Sequence, residues 1–265
     1  MNEEIYKRNI KMSKNTLFKI NINSCDVYLN INDGIGSTHP EALAKAVVEH
    51  GADIGVAFDG DGDRVIFVDH QGERIDGDQL LYILAMHRMA MGRADAGVVG
   101  TLMSNMGLEL ALAEQGIQLE RANVGDRHVR ELMRQQGWHL GGESSGHLIC
   151  SDVTTTGDGI VSALQVLAAM IDAQASLQDL LTGMVKLPQV LINVPVDDGI
   201  DLNSAVITSV SNEVTRTLQG RGRLLLRPSG TEPVMRVMVE GEDPVEIQAH
   251  AQRLADVLVL AASLN

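Results

Sequence analysis

An α/β architecture closed by a small α+β unit is what the 265-residue sequence predicts, on three observations. From residue 39 to 173, short apolar runs alternate with stretches of helical period, the pattern of strands and helices stacked in layers. Near residue 187 the rhythm changes to strand, helix, two strands and a long helix. Only three Phe, three Tyr and one Trp are present although 45% of the chain is hydrophobic, so the core must be aliphatic, built from Leu, Val, Ile, Ala and the twelve Met.

Residues 1–26 differ in character from the remainder of the chain. Lys7, Lys11, Lys14 and Lys19 are four of the six lysines; the others are Lys45 and Lys186. Residues 1–30 hold five basic and three acidic side chains, a net charge of +2 that leaves −16 for the rest. The segment reads as an appendage, an altered start or a junction, with a plain N-terminal strand as the alternative. Beyond it, "HPEALAKAVVEHG" (39–51) predicts a helix with Pro near its start and Gly near its end. "DIGVAF" (53–58) and "RVIFVD" (64–69) predict strands on either side of an acidic loop. Next come a helix over 76–90, a strand from 96 running into a polar loop by 105, and a helix over 106–116. Residues 117–137 give strand, loop and helix, 138–150 strand, Gly-rich loop and strand, and 157–173 a helix. The closing unit has strands at 188–196, 222–227 and 234–240 and helices near 203–218 and 243–264, with a linker near 182–187.

A formal charge of −14 argues against nucleic acid, because a phosphate-backbone binder needs a basic face. No apolar run approaches 18 residues, so no membrane partner is expected. The lysine-bearing N-terminus has no continuous apolar core of the signal-peptide kind. Cys25 and Cys150 have no pairing motif, which suits a cytoplasmic location.

Chemistry concentrates in loops. "FDGDGDR" (58–64) sets Asp59, Asp61 and Asp63 at every second position. Like charges that close repel unless a cation joins them. An EF-hand is excluded: its sixth position should be Gly and is Arg64, and its twelfth should be Glu and is His70. Gly60 and Gly62 let the backbone fold round so that the three carboxylates converge. All-oxygen ligation favours Mg²⁺, with Mn²⁺ and Ca²⁺ as alternatives, and leaves coordination positions for water or a phosphate oxygen. In "GGESSGH" (141–147), Glu143, Ser145 and His147 offer the donors and acceptors that vicinal sugar hydroxyls need; a polar hairpin is the alternative. In "RPSGTEPVMR" (227–236), Arg227 and Arg236 suit bidentate phosphate binding. Ser229, Gly230 and Thr231 add hydroxyls and a nest of amides. Asp126 and Arg127 of "VGDR" precede a helix, where Asp126 also suits a cap. "TTTGDG" (154–159) reads as a structural helix start.

Taken together and in order, "FDGDGDR", "GTLMSNMGLE", "VGDR", "GGESSGH", "TTTGDGI" and "RPSGTEP" resemble the α-D-phosphohexomutase superfamily, and within it most closely the bacterial phosphoglucosamine mutase family, over roughly residues 31–262. The resemblance implies an incomplete second domain (27–73), a complete third α/β domain (74–184) and a small α+β C-terminal domain (185–265). It implies Mg²⁺ on Asp59, Asp61 and Asp63 with Arg64 beside it as a catalytic cation. It assigns Glu143, Ser145, His147, Asp126 and Arg127 to the sugar, and Arg227, Ser229, Gly230, Thr231 and Arg236 to the phosphate. Members interconvert glucosamine 6-phosphate and glucosamine 1-phosphate through a phosphoserine and a bisphosphate, which feeds UDP-N-acetylglucosamine synthesis. Glucose and mannose phosphates are alternative substrates within the superfamily.

One departure is plain. The family's nucleophile lies in a loop resembling "SASHNP", and no such segment occurs here. Ser37 in "GSTHPE" matches instead, by position, the second-domain segment before the metal strand. The expectation is therefore a truncated chain that lacks the first domain and part of the second. Such a chain would be inactive alone or a non-catalytic binder of Mg²⁺ and phosphosugar, and prone to self-association or to pairing with a complementary N-terminal fragment. The general base is not assigned; His147 is one option, though sugar recognition suits it better.

Overall fold

The computed structural model describes residues 36–195, 201–229 and 233–263, together with the backbone of Ile20–Asn21. The order from the N-terminus is β1 (Ile20–Asn21), α1 (Glu41–His50), β2 (Ile54–Phe58), β3 (Val65–Asp69), β4 (Arg74–Ile75), α2 (Gly77–Ala90), β5 (Gly97–Thr101) and α3 (Met106–Glu114). Then come β6 (Gln118–Ala122), α4 (Asp126–Gln136), β7 (Leu140–Gly142), β8 (Leu148–Cys150), α5 (Gly159–Ala173) and α6 (Leu177–Leu180). The last are β9 (Gln189–Pro195), α7 (Ala205–Thr217), β10 (Gly222–Pro228), β11 (Val234–Gly241) and α8 (Pro244–Ser263). Both expected layer types are present. The short β4 and α6 are additions, since two and four residues are too few to show a period.

The first sheet runs β1-β2-β3-β4, with β1 parallel to β2 and the rest antiparallel. Its residues alternate between two apolar layers, as a pleated strand requires. Leu43 and Val47 of α1 pack with Ala57 and Val68 on one face. Ile54, Val65 and Phe67 face the other way, into a core shared with Leu80, Leu81 and Leu84 of α2 and Val166 of α5. Burying each such side chain stabilises the fold by roughly 1.5–3 kcal/mol.

The second sheet, β6-β5-β7-β8, is parallel except for the closing hairpin partner β8. β5-α3-β6 is the crossover that parallel neighbours need, and β6-α4-β7 passes over β5 to its other side. One face meets the core that contains α2. The other is covered by Val129 and Met133 of α4 with Trp138. The loops after β5, β6 and β7 therefore emerge at a single edge, the carboxyl edge where open α/β sheets bind ligands.

The third sheet, β10-β11-β9, is wholly antiparallel and has its own core: Val194, Ile207, Val214, Val237, Val239, Ile247 and Leu254 beneath α7 and α8. The segment leading to it is tied down. Asn105 Nδ2 donates to the Leu187 carbonyl (2.9 Å), its Oδ1 accepts from the Leu187 amide (3.0 Å), and Lys186 pairs with Asp76. Among the described residues, no helix is long and apolar enough to cross a membrane.

Asp78 lies at the start of α2 next to this junction, 1% exposed, and one carboxylate oxygen accepts from the Asn105 amide (2.9 Å). Burial first, and Asp76 second, push its carboxyl up from 3.8 to about 7. The folded protein therefore holds this proton more tightly than the unfolded chain does. The stability it contributes is full below pH 3.8 and is lost as pH rises through about 7. Asp78→Asn should flatten the dependence of Tm on pH between about pH 4 and 7 and raise Tm at pH 8. The upper bound is about 4 kcal/mol. Thermal scans across that range check it, and unchanged curves would refute the buried-acid assignment.

Candidate functional site

β2 and β3 deliver the acidic loop. Gly62, with φ +73, turns the backbone back on itself, and the Gly62 amide donates to the Asp59 carbonyl (3.2 Å). One carboxylate oxygen from each of Asp59, Asp61 and Asp63 then lies within 4.8 Å of the others. Asp59 accepts from the Arg64 amide (3.0 Å), and the Arg64 Nε stands 3.6 Å from Asp59 and 3.9 Å from Asp63. Asp61 projects into solvent. Convergent, partly open, all-oxygen donors of this kind fit a hard divalent cation.

The Gly-rich loop between β7 and β8 is stitched to this acidic loop. The Val65 amide donates to the Gly146 carbonyl (3.0 Å), and Arg64 and His147 form an isolated antiparallel bridge. His147 is 5% exposed, and its Nδ1 is 3.1 Å from Asp63 Oδ2. Its Nε2 is buried without a hydrogen-bond partner. The ring that sequence reasoning gave to sugar hydroxyls thus lies behind the acidic loop, against one of its carboxylates. α5 closes the other side, where the Gly159 amide donates to the Gly62 carbonyl (2.8 Å) and Asp158 caps the helix through the Val161 amide (3.0 Å).

Glu143 and Ser145 sit half-buried on the same loop, and the Ser145 hydroxyl donates to Glu143 Oε2 (3.3 Å). Glu143 Oε1 accepts from the Gly125 amide (2.8 Å), which joins the loop after β6 to the loop after β7. Asp126 and Arg127 open α4 at the surface. Gly125, not Asp126, occupies the cap position, with no side-chain cap bond; Asp126 acts as an acid in the first turn, favourable to the helix dipole. The acidic loop, the Gly-rich loop and the loop before α4 are therefore hydrogen-bonded into one edge.

Arg227 and Arg236 belong to the third sheet, directly opposite each other across β10 and β11. Facing cations disfavour the pair unless an anion joins them. Burial, and then Arg236, hold the Arg227 guanidinium below its usual range, and its Nε has no partner among the described residues. The Ser229 amide donates to the Val234 carbonyl (2.9 Å), closing the hairpin; Gly230 and Thr231 lie outside the described residues. Ser37 is 2% exposed, its hydroxyl buried without a partner. Sequence reasoning passed over Arg223 and Glu240, an ion pair on these same two strands (3.0 Å) in which Glu240 is fully buried and Arg223 half-buried. The available signal was a charge set within each otherwise apolar strand.

Comparison with known proteins places this geometry. The family models described as phosphoglucomutase/phosphomannomutase alpha/beta/alpha domain II, alpha/beta/alpha domain III and C-terminal domain match residues 17–72, 76–187 and 191–257. A phosphoglucosamine mutase of Cellvibrio japonicus is 58% identical over 235 residues, covering 88% of this chain and 53% of the relative. One of Aeromonas salmonicida is 58% identical over 228 residues, covering 86% and 51%. The chain spans about half the length of the curated relatives it matches. Among solved structures, Aspergillus fumigatus N-acetylphosphoglucosamine mutase in complex with GlcNAc-6P and magnesium matches with TM-score 0.66 at 18% identity, over 84% of this chain and 56% of that one. A product complex of N-acetylglucosamine-phosphate mutase matches with TM-score 0.67 at 18% identity, over 86% and 53%. At such identity the likeness is one of fold.

The stitching of the two loops makes a distinct demand on Gly146. Its φ is +95, and a Cβ there would collide with the Val65 carbonyl oxygen. Gly137 also has positive φ (+70) but open space around it. Gly137→Ala should cost about 1 kcal/mol, and Gly146→Ala about 2–4 kcal/mol. Urea denaturation of the two variants side by side measures the difference; equal losses would show that the loops are not packed this tightly.

Proposed function

Because this chain belongs to the phosphoglucomutase/phosphomannomutase family, matched through models of its second, third and C-terminal domains, we propose that it forms the metal-, sugar- and phosphate-binding portion of a phosphoglucosamine mutase. The observation that carries this reading is the convergence of Asp59, Asp61 and Asp63 beside a Gly-rich loop bonded to them through His147. The reaction is the interconversion of glucosamine 6-phosphate and glucosamine 1-phosphate. The identity of 58% to curated phosphoglucosamine mutases supports a hexosamine phosphate over a glucose or mannose phosphate. The domain limits proposed for the third and C-terminal domains are 74–184 and 185–265; the second runs to residue 73 and begins before residue 27, because its family model matches from residue 17 and Ile20–Asn21 pair with β2, and a cytoplasmic location is proposed with them.

Asp59, Asp61 and Asp63 would hold Mg²⁺, which would supply electrostatic stabilisation to a phosphoryl group in transfer. Arg64, close to two of those carboxylates, offers a cation on the same side for the charge that develops there. His147 fixes the orientation of Asp63, as a partner behind a metal-binding carboxylate does. Glu143 is held by the Gly125 amide and Ser145 lies beside it, so both are positioned before a sugar hydroxyl arrives. Asp126 and Arg127 stand at the rim of the same edge, where they reach the sugar's remaining groups. Arg227 and Arg236, directly opposite each other across β10 and β11, take the ester phosphate bidentately, and Ser229, Gly230 and Thr231 are proposed to join them.

Covalent transfer needs a nucleophile, and the sequence has no "SASHNP"-like segment. Ser37 is buried, and its amide is bonded to the Phe58 carbonyl (3.1 Å). We therefore assign the phosphoserine to sequence outside this chain. The same observation favours, as a second reading, a chain that binds Mg²⁺ and phosphosugar without turnover. Calorimetry should detect Mg²⁺ uptake by the chain and its loss in Asp61→Asn. A coupled mutase assay with added glucosamine 1,6-bisphosphate should show no turnover by the chain alone, and turnover on adding a complementary N-terminal fragment that carries the serine. Failure of the fragment to confer activity leaves the binding reading. Turnover by the chain alone that disappears in Ser37→Ala would overturn the assignment of the nucleophile.

A further inference from the structure

The strands that carry the two phosphate-facing arginines also carry, four residues before Arg227 and four after Arg236, an ion pair between half-buried Arg223 and fully buried Glu240. Arg223 pairs with Glu240 across β10 and β11 just as Arg227 pairs with Arg236. With a period of two, all four side chains leave the same face of the sheet. Four residues of strand span about 13 Å. The two ends of that face thus do different things: one presents Arg227 and Arg236, and the other is inserted into the second sheet's carboxyl edge.

The insertion is dense. Arg223 Nε donates to Glu240 Oε2 (3.0 Å), its Nη1 to the Leu102 carbonyl (2.8 Å) and its Nη2 to the Ser104 carbonyl (2.6 Å). Glu240 is fully buried; it accepts from the Met106 amide, the first residue of α3, and from Gln189 Nε2 (3.2 Å). Its charge therefore meets the positive end of the α3 dipole. Leu102 and Ser104 belong to the loop after β5, and β5 pairs directly with β7, which leads into the Glu143 loop. Burial, with Arg121 next, holds the Arg223 guanidinium below its usual range. A partly buried pair of this kind is weak evidence for net stability, because desolvation offsets much of the attraction. Geometry is the better account of its presence.

We infer that Arg223 and Glu240 are positioning residues that set the separation between the sugar-facing loop after β7 and the phosphate-facing arginines. They do so by clamping one end of β10–β11 to the loop after β5. The pair touches neither the metal loop nor the ester phosphate. It determines the length of sugar phosphate that both ends can hold at once, and so acts on ligand selection. This inference rests on Arg227 and Arg236 being the phosphate grip.

The test is calorimetric binding of glucosamine 6-phosphate and, separately, of Mg²⁺ to the whole chain and its variants, well below each variant's Tm. Arg223→Ala should weaken glucosamine 6-phosphate binding about tenfold through misplacement alone. Mg²⁺ affinity should stay within about twofold, since the acidic loop shares no partner with the clamp. Arg223→Lys, which keeps the charge and loses the fork, should fall between wild type and Arg223→Ala. Added to Arg227→Ala, Arg223→Ala should cause little further loss, because its effect runs through that arginine. Should Arg223→Ala fail to fold, Glu240→Gln and Arg223→Lys carry the same comparison. Unchanged affinity for glucosamine 6-phosphate in folded clamp variants, with Arg227→Ala impaired, overturns the inference alone. Wild-type affinity in Arg227→Ala, or no saturable binding by the wild-type chain, overturns the phosphate grip and the clamp's role together.

Discussion

Three carboxylates within 4.8 Å of one another are an arrangement that the chain must hold against their own repulsion, and the rest of the first two sheets is organised around doing so. The support is backbone as much as charge. The Arg64 amide holds Asp59, the Gly159 amide holds the Gly62 carbonyl, and the Gly146 carbonyl takes the Val65 amide. His147 adds a side-chain partner to Asp63 from 84 residues away. Together these ties join the acidic loop to the third-domain layer, so the strands that present the carboxylates cannot shift without moving the Gly-rich loop and α5.

The same logic recurs with opposite sign on the third sheet. Arg227 and Arg236 face each other in register and suit an anion, as the aspartates suit a cation. Between the two ends, the Arg223–Glu240 pair and the Asn105–Leu187 bonds link the third sheet to the second through specific polar contacts rather than an apolar seam.

Much of this was legible because it is local. Asp59, Asp61 and Asp63 lie within five residues, so their convergence follows from a turn that Gly62 permits. The alternation of apolar runs gave the layers, and the change of rhythm near residue 187 marked the third sheet. What escaped needs tertiary register. That His147 would meet Asp63 depends on how the β7–β8 hairpin lies on β3. That Arg223 would meet Ser104 depends on a pairing across 119 residues. β4 and α6 were missed because their few residues cannot display a period, and Asp126 was offered as a cap where Gly125 holds that position.

The apolar interior is divided unevenly. One continuous core runs from Ile54 and Phe67 of the first sheet through α2 to Leu140 and Leu148 of the second. The core beneath α7 and α8 is separate. Cooperative unfolding follows shared burial, so the first two sheets should melt as one block and the third as another. Amide exchange would then report two foldons whose boundary falls near residue 188. A protease reaching that boundary would release a small α+β piece still able to keep its shape.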